Sequence, residues 1–264
     1  MIQILSSSKN KAAVFFSLLT LGAVIFAAFT GGFLRIPQKP FIVIRVDDIQ
    51  DFAFRDAQLF LLKHSAETNL PLSLAVIAGM FGQDADILDA VQLAVASGCE
   101  VGVHGWEHEN LANLSMKEQM TILFQAKSRI KELLGVDTQL LIPPMFGFDN
   151  NTISAMHEES YTIISTCADL HEPSSISGIK NIPATVELST LLNDIWQKKS
   201  IDTISAEVEK SIELYGYAAI VTHPQEFISN GQINQTARES YINLLAKLSE
   251  THQFTTFEKL NLQI

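Results

Sequence analysis

The chain has 264 residues, 47% of them hydrophobic, and a formal net charge of −11 at pH 7. That length can bury one substantial core, and one domain in the barrel size range fits it better than two small ones. The charge excludes a phosphate-backbone partner. Lys9, Lys11, Arg35 and Lys39 are the only charged residues in 1–40, so the remainder carries 14 basic and 29 acidic side chains, and no nucleic acid is expected to bind.

Residues 1–11 form a short basic N-terminus. Residues 12–34 (AAVFFSLLTLGAVIFAAFTGGFL) carry no charge and are long enough to span a bilayer as a transmembrane helix. A buried core helix is the poorer reading at this length and position. A cleaved signal peptide and a retained anchor both stay open. The anchor is slightly favoured, because no clean A-x-A cleavage site is present. Either reading places the rest outside the cytoplasm, membrane-anchored or secreted. Two basic residues flank each side, so the positive-inside rule does not set the orientation.

Residues 35–40 form a linker marked by Pro37 and Pro40, and 41–264 form one domain. There, strand-like and helix-like runs alternate. Phe41 to Val46 (FIVIRV) predicts a buried strand, Asp56 to Glu67 a helix, and Pro71 to Ile77 a second strand. Asp84 to Ala96 predicts an amphipathic helix stopping near Gly98. Glu100 to Val103 is a short strand leading into His104. Ser115 to Leu134 is the longest helix signal, opened by a Ser115–Glu118 capping box. Gln139 to Ile142 is strand-like and runs into Pro143-Pro144. Asn150 to Glu158 predicts a helix, Tyr161 to Ser165 a strand and Ile179 to Leu188 an extended stretch. Helices over Ile201 to Leu214 and Gln235 to Leu248 flank a strand, Tyr217 to Thr222, that ends at His223. Phe254 to Phe257 closes the series. This alternation predicts a mainly parallel sheet with helices outside. No GxGxxG turn or Walker loop is present, so a nucleotide-binding sheet would lack its phosphate cradle.

The polar residues fall where strands give way to loops. Asp47-Asp48, His104, the Pro143-Pro144 turn and His223 all occupy such positions, and in a β/α barrel those loops share one face. His104 and His108 in HGWEH, with a carboxylate from another strand end, can make a three-ligand metal site with positions open for water and substrate. Each half alone is a weak signal. Acidic residues are common in turns, and a loop HxxxH is more often a pair of unrelated histidines. The conjunction is stronger, since three of only seven histidines fall at strand ends beside carboxylates. His64, His157, His171 and His252 read as ordinary. Cys99 and Cys167 lie far apart; a disulfide is allowed but not established, and no C-x-x-C pair supports a cysteine metal site. The sequons at Asn113, Asn150 and Asn234 carry no argument by themselves.

On these motifs the chain resembles the polysaccharide deacetylases, metal-dependent carbohydrate esterases with a deformed β/α barrel of about seven strands. VDDIQD resembles their first motif, HGWEH their second, LIPPMFG their proline-rich third and VTHP their fifth, in the family's order over about residues 40 to 227. The resemblance implies Asp47 as general base, Asp48, His104 and His108 as metal ligands, and His223 as general acid. It also implies the backbone N–H of Met145 as an oxyanion donor. The implied cofactor is a divalent metal, zinc first (Zn2+), with Co2+, Ni2+ or Fe2+ compatible with the ligand set. A zinc-type ion lowers the pKa of water from about 15.7 to about 7. The implied substrate is an acetylated glycan or polysaccharide.

Two departures stand out. Ile142 occupies the place of the third-motif Arg that orients the catalytic Asp. Strand alternation puts Arg45 on the same face as Asp47, so Arg45 is expected to pair with Asp47 or a nearby acid; the competing reading is a snorkelling edge Arg. The fourth motif, an Asp near a Trp, is only hinted at by Asp194 and Trp196, in a segment that reads as a helix end without a role. Trp106 reads as packing rather than a sugar platform. Glu107 and Glu109 are candidate partners for histidine N–H groups, and Gln225 and Glu226 are candidate cleft residues. Three functions compete: a metal-dependent deacetylase of N-acetylated (or O-acetylated) polysaccharide, a non-catalytic carbohydrate-binding protein on a degenerate barrel, and a hydrolase of another non-peptide amide. Oligomeric state is not legible in the sequence.

Overall fold

A computed structural model describes residues 39–192 and 195–263. The anchor or signal reading of residues 12–34 lies outside the described residues, and among these no helix is long and apolar enough to cross a membrane.

Strand β1 (Phe41–Ile49) is followed by helix α1 (Arg55–Thr68), β2 (Leu72–Val76), α2 (Ala85–Ala96), β3 (Glu100–Val103) and α3 (Met116–Leu134). Helix α3 starts with the expected capping box, both Ser115 and Glu118 contributing, and stops at Gly135 with φ 69°. Next come β4 (Leu140–Leu141), α4 (Asn150–Glu158), β5 (Ile163–Ile164) and the hairpin β6 (Ser174–Ile176) and β7 (Ile179–Asn181). The chain continues through β8 (Val186–Glu187), a second hairpin of β9 (Ser189–Leu192) and β10 (Ile195–Lys198), α5 (Ile201–Tyr215) and β11 (Tyr217–Thr222). A small hairpin, β12 (Ile228–Ser229) and β13 (Gln232–Ile233), precedes α6 (Gln235–Thr251), β14 (Gln253–Thr255) and α7 (Phe257–Asn261). Trp196 therefore lies in a strand. The helix end expected around it is corrected: Ile195 to Lys198 pair antiparallel with Ser189 to Leu192.

The main sheet runs β6-β7-β5-β4-β3-β2-β1-β11-β8, with β14 beside β1. Its two ends meet in one stretch of chain. β7 pairs parallel with β5, and β8, a few residues on, pairs parallel with β11. Between them the Ala184 N–H donates to Thr166 and the Thr185 N–H to Ala219. The sheet thus curls round on itself through β1 to β5, the stretch 179–187 and β11, all parallel, with β14 also parallel beside β1.

Alternation along β1 assigns the two faces. Ile42, Ile44 and Val46 join the large core beneath the helices, whereas Val43 joins a smaller cluster with Ala75, Leu140, Ile163, Tyr217 and Ala219. Phe257 and Leu260 of α7 complete that smaller cluster, which fills the inside of the curl. Glu100, at the start of β3, accepts the N–H groups of Phe257 and Glu258 and so holds α7 at the N-terminal ends of the strands. The opposite end, where the strands finish, stays open.

Candidate active site

Asp47 and Asp48 are consecutive, so a regular strand would send their side chains to opposite faces. The pairing of β1 with β2 shifts register between Val46 and Ile49, and Asp48 has φ 61°. This bulge turns both carboxylates into one cavity at the open end of the sheet. The cavity has a volume of about 400 Å³ and is also lined by Arg45, His104, His108, Met145 and His223. A left-handed conformation costs a non-glycine residue energy. Four such residues, Asp48, His108 (φ 65°), Met145 (φ 53°) and Phe146 (φ 56°), stand at this one cavity.

His104 follows β3 directly and is 2% exposed. Its Nδ1 lies 2.7 Å from the carbonyl oxygen of Ile142. A carbonyl can only accept, so Nδ1 carries the proton and Nε2 is left as a ligand. The Nε2 atoms of His104 and His108 lie 3.3 and 3.2 Å from Asp48 Oδ1. The three residues group as a potential metal-binding set. Ligand atoms bonded to one ion at about 2.0–2.2 Å are separated by about 3.0–3.5 Å, so this spacing fits a shared ion. Asp48 Oδ1 is buried without a hydrogen-bond partner, as a ligand oxygen would be in the absence of its ion. The donor set therefore fits a divalent cation.

The loop that carries the histidines is tied down on two sides. Gly79 N donates to the Trp106 carbonyl at 2.9 Å, and Ala78 N to that of Gly105 at 3.2 Å. Glu109 accepts the N–H groups of Trp106 and Glu107 at 2.9 and 2.6 Å. Glu109 thus shapes the loop instead of holding a histidine ring, and the backbone of Ile142 takes the role considered for Glu107 and Glu109. Trp106 packs against the main core.

Arg45 is fully buried and grips Asp47 with two parallel hydrogen bonds, Nε to Oδ1 at 2.7 Å and Nη2 to Oδ2 at 2.5 Å. Its Nη1 donates to the carbonyls of Ser165 and Thr166, both at 3.1 Å. The guanidinium also lies 5.4 Å from the ring centre of Phe146. Burial works against ionised Asp47, but Arg45 and His104 outweigh it and hold the carboxyl below its ordinary range.

His223 lies just past the end of β11, with Nε2 4.0 Å from Asp47 Oδ2. Its Nδ1 is 3.2 Å from Glu226 Oε1, which also accepts the His223 backbone N–H at 2.8 Å. Burial opposes a charged imidazole here, yet Glu226, Asp47 and Asp48 together raise its pKa. The Trp196 ring lies over that of His223, tilted by 34° with centres 4.9 Å apart. Gln225 donates to Asp48 Oδ2 at 3.1 Å. Met145 is exposed at the rim, and its backbone N–H has no acceptor among the described residues.

Gln225 and Glu226 line the cavity as expected, but the pairing of Glu226 with His223 and the place of Trp196 over that ring were not foreseen. Glu226 stands three positions after His223 in a turn begun by Pro224, a spacing that suits a local pair but has many other meanings. Trp196 carried the hint of a fourth motif, but its hairpin was misread as a helix end.

Residues 36–164 match the family model for polysaccharide deacetylase. Comparison with curated proteins gave no match. Among solved structures, the fold is similar to the Xyl-CE4 domain of a multidomain xylanase from the hindgut metagenome of Trinervitermes trinervoides. That comparison has a TM-score of 0.58 at 17% identity, covering 86% of this chain and 91% of that one. It is similar to a family 4 acetyl xylan esterase from Clostridium thermocellum in complex with a cobalt ion, with a TM-score of 0.58 at 14% identity, covering 83% and 89%. It is also similar to a CE4 family pseudoenzyme from Bacillus anthracis, with a TM-score of 0.57 at 16% identity, covering 85% and 66%. At these identities the structures establish the fold alone. The matched region spans β1 to β5 and carries both the Asp47-Asp48 bulge and the HGWEH loop, so this part of the chain is similar to the polysaccharide deacetylase family.

Proposed function

We propose that the chain is a metal-dependent hydrolase that removes acetyl groups from N-acetylated (or O-acetylated) polysaccharide. The observation that carries this reading is the 4.0 Å approach of His223 to Asp47 beside the Asp48, His104 and His108 cluster. A protein that only bound glycan would need neither a buried base nor an acid next to its ligand set.

Asp48, His104 and His108 would hold the divalent cation, with zinc the first choice for two imidazoles and a carboxylate. When bound, such an ion polarises an acyl carbonyl and acidifies water. The remaining steps belong to the protein. Asp47 takes a proton from the attacking water; each of its oxygens keeps a second lone pair beside the one Arg45 uses. The Met145 N–H, without another acceptor among the described residues, is offered to the developing oxyanion. Glu226 engages His223 Nδ1, which leaves Nε2 to deliver a proton to the leaving nitrogen as the carbon–nitrogen bond breaks. The products are acetate and an amine. The proposed setting is outside the cytoplasm, supported by the uncharged run 12–34.

The test is acetate release by the purified chain from chitin oligomers and acetylated xylan, alongside His108→Ala and a chelated sample. Release that stops on chelation and in the variant is the expected result. One retained ion per chain with no acetate from any substrate would instead identify a glycan-binding protein.

A further inference from the structure

One wall of the cavity is built from the stretch 187–191 and carries polar groups that make no hydrogen bond among the described residues. Glu187, Ser189, Thr190 and Leu191 of this stretch all line the cavity. Glu187 is half-buried and makes no hydrogen bond or ion pair among the described residues. Ser189 is 1% exposed, and its Oγ has no partner among the described residues. A buried hydroxyl without a partner is costly. Beside a cavity, it points to a polar ligand that completes it. Across the hairpin, Trp196 supplies an apolar face over His223.

The position of Glu187 gives that ligand a sign. Glu187 pairs in register with Val221, two residues before His223. It therefore stands on the acid side of the site, where the proposed leaving group departs. An amine released there takes up a proton and becomes an ammonium, whereas the alcohol released from an O-acetyl ester stays neutral. The free carboxylate complements only the first. Burial pushes the Glu187 carboxyl up, and the charge of Lys199 offsets this only in part.

Resting on the deacetylase reading, we infer that Glu187 selects amino-sugar glycans, its carboxylate receiving the ammonium that N-deacetylation leaves while Ser189 and Trp196 hold the sugar ring. The step balances. Water adds to the amide carbon, the carbon–nitrogen bond breaks, and the nitrogen leaves with the proton from His223. It gains its final proton from solvent as acetic acid loses one.

The test is calorimetric binding of a glucosamine tetramer and an N-acetylglucosamine tetramer to the full chain, at low constant salt and a pH where the amine is charged. Wild type, Glu187→Gln and Glu187→Asp are compared. Removing one charge-assisted contact is expected to weaken glucosamine-tetramer binding about tenfold in Glu187→Gln. The N-acetylated tetramer should lose less than about twofold, and Glu187→Asp should recover part of the difference. Equal losses for both tetramers, no loss for either, or a wild type that binds neither would overturn the inference. Acetate release by the same wild-type sample reports on the deacetylase reading separately. A chain that discriminates the ammonium through Glu187 but releases no acetate would overturn only that reading.

Discussion

Arg45 is the residue on which the proposed base, Asp47, depends. It is fully buried, and all three of its nitrogens are engaged, two of them on Asp47. Removing one partner of such a pair leaves the other charge buried and alone. Arg45→Ala is therefore expected to destabilise the fold by about 3–5 kcal/mol, read as a lower urea midpoint. Glu226 does for His223, the proposed acid, what Arg45 does for Asp47. A general acid must be protonated to act, so activity falls as pH rises through its pKa. Glu226 helps to hold the pKa of His223 above the ordinary value. In Glu226→Gln the alkaline limb of the kcat profile should move to lower pH, with a loss of about tenfold or more on the alkaline side. An unmoved limb would remove Glu226 from the mechanism.

At the scale of elements, the site depends on the fit between the HGWEH loop and the turn after β2. A methyl group on Gly79 would stand 2.6 Å from the Trp106 carbonyl oxygen and 2.7 Å from its indole ring, against atoms that cannot yield cheaply. Gly79→Ala should displace the loop and weaken metal binding about 10–100-fold in a competition titration, the range seen when groups supporting metal ligands are lost. Most elements could be read from the sequence, since apolar runs and caps are local signals. Glu100 to Val103, Asn150 to Glu158 and Tyr217 to Thr222 have the expected bounds. The pairing of Arg45 with Asp47 was legible too, because residues two apart on a strand share a face. Three features were not. A backbone carbonyl such as that of Ile142 has no sequence signature. The bulge at Asp47-Asp48 depends on the register of β2, a tertiary property. The hairpin at 189–198 lacks an apolar alternation strong enough to separate it from a helix end, although the Asn230-Gly231 turn of the next hairpin is a plain hairpin signal left unread.

Over the whole molecule, the curl of the sheet brings residues 45 to 226 to one end, and α7 closes the other. The acidic balance of residues beyond 40 suits the same picture, since a neutral or cationic polymer is tolerated where a polyanion is not. Metal binding should stabilise the entire domain because the ligands come from β1 and from the loop after β3, far apart in the chain. The ligand set alone, however, does not separate catalysis from binding. Asp47 does, because it is paired with Arg45 and stands outside the set of three potential ligands. The decisive measurement is metal content and acetate release from N-acetylglucosamine oligomers, made together on wild type and Asp47→Asn. One ion per chain in both proteins, with acetate release slowed by about 100-fold or more in the variant, is the predicted result. Undiminished release by Asp47→Asn would contradict the account.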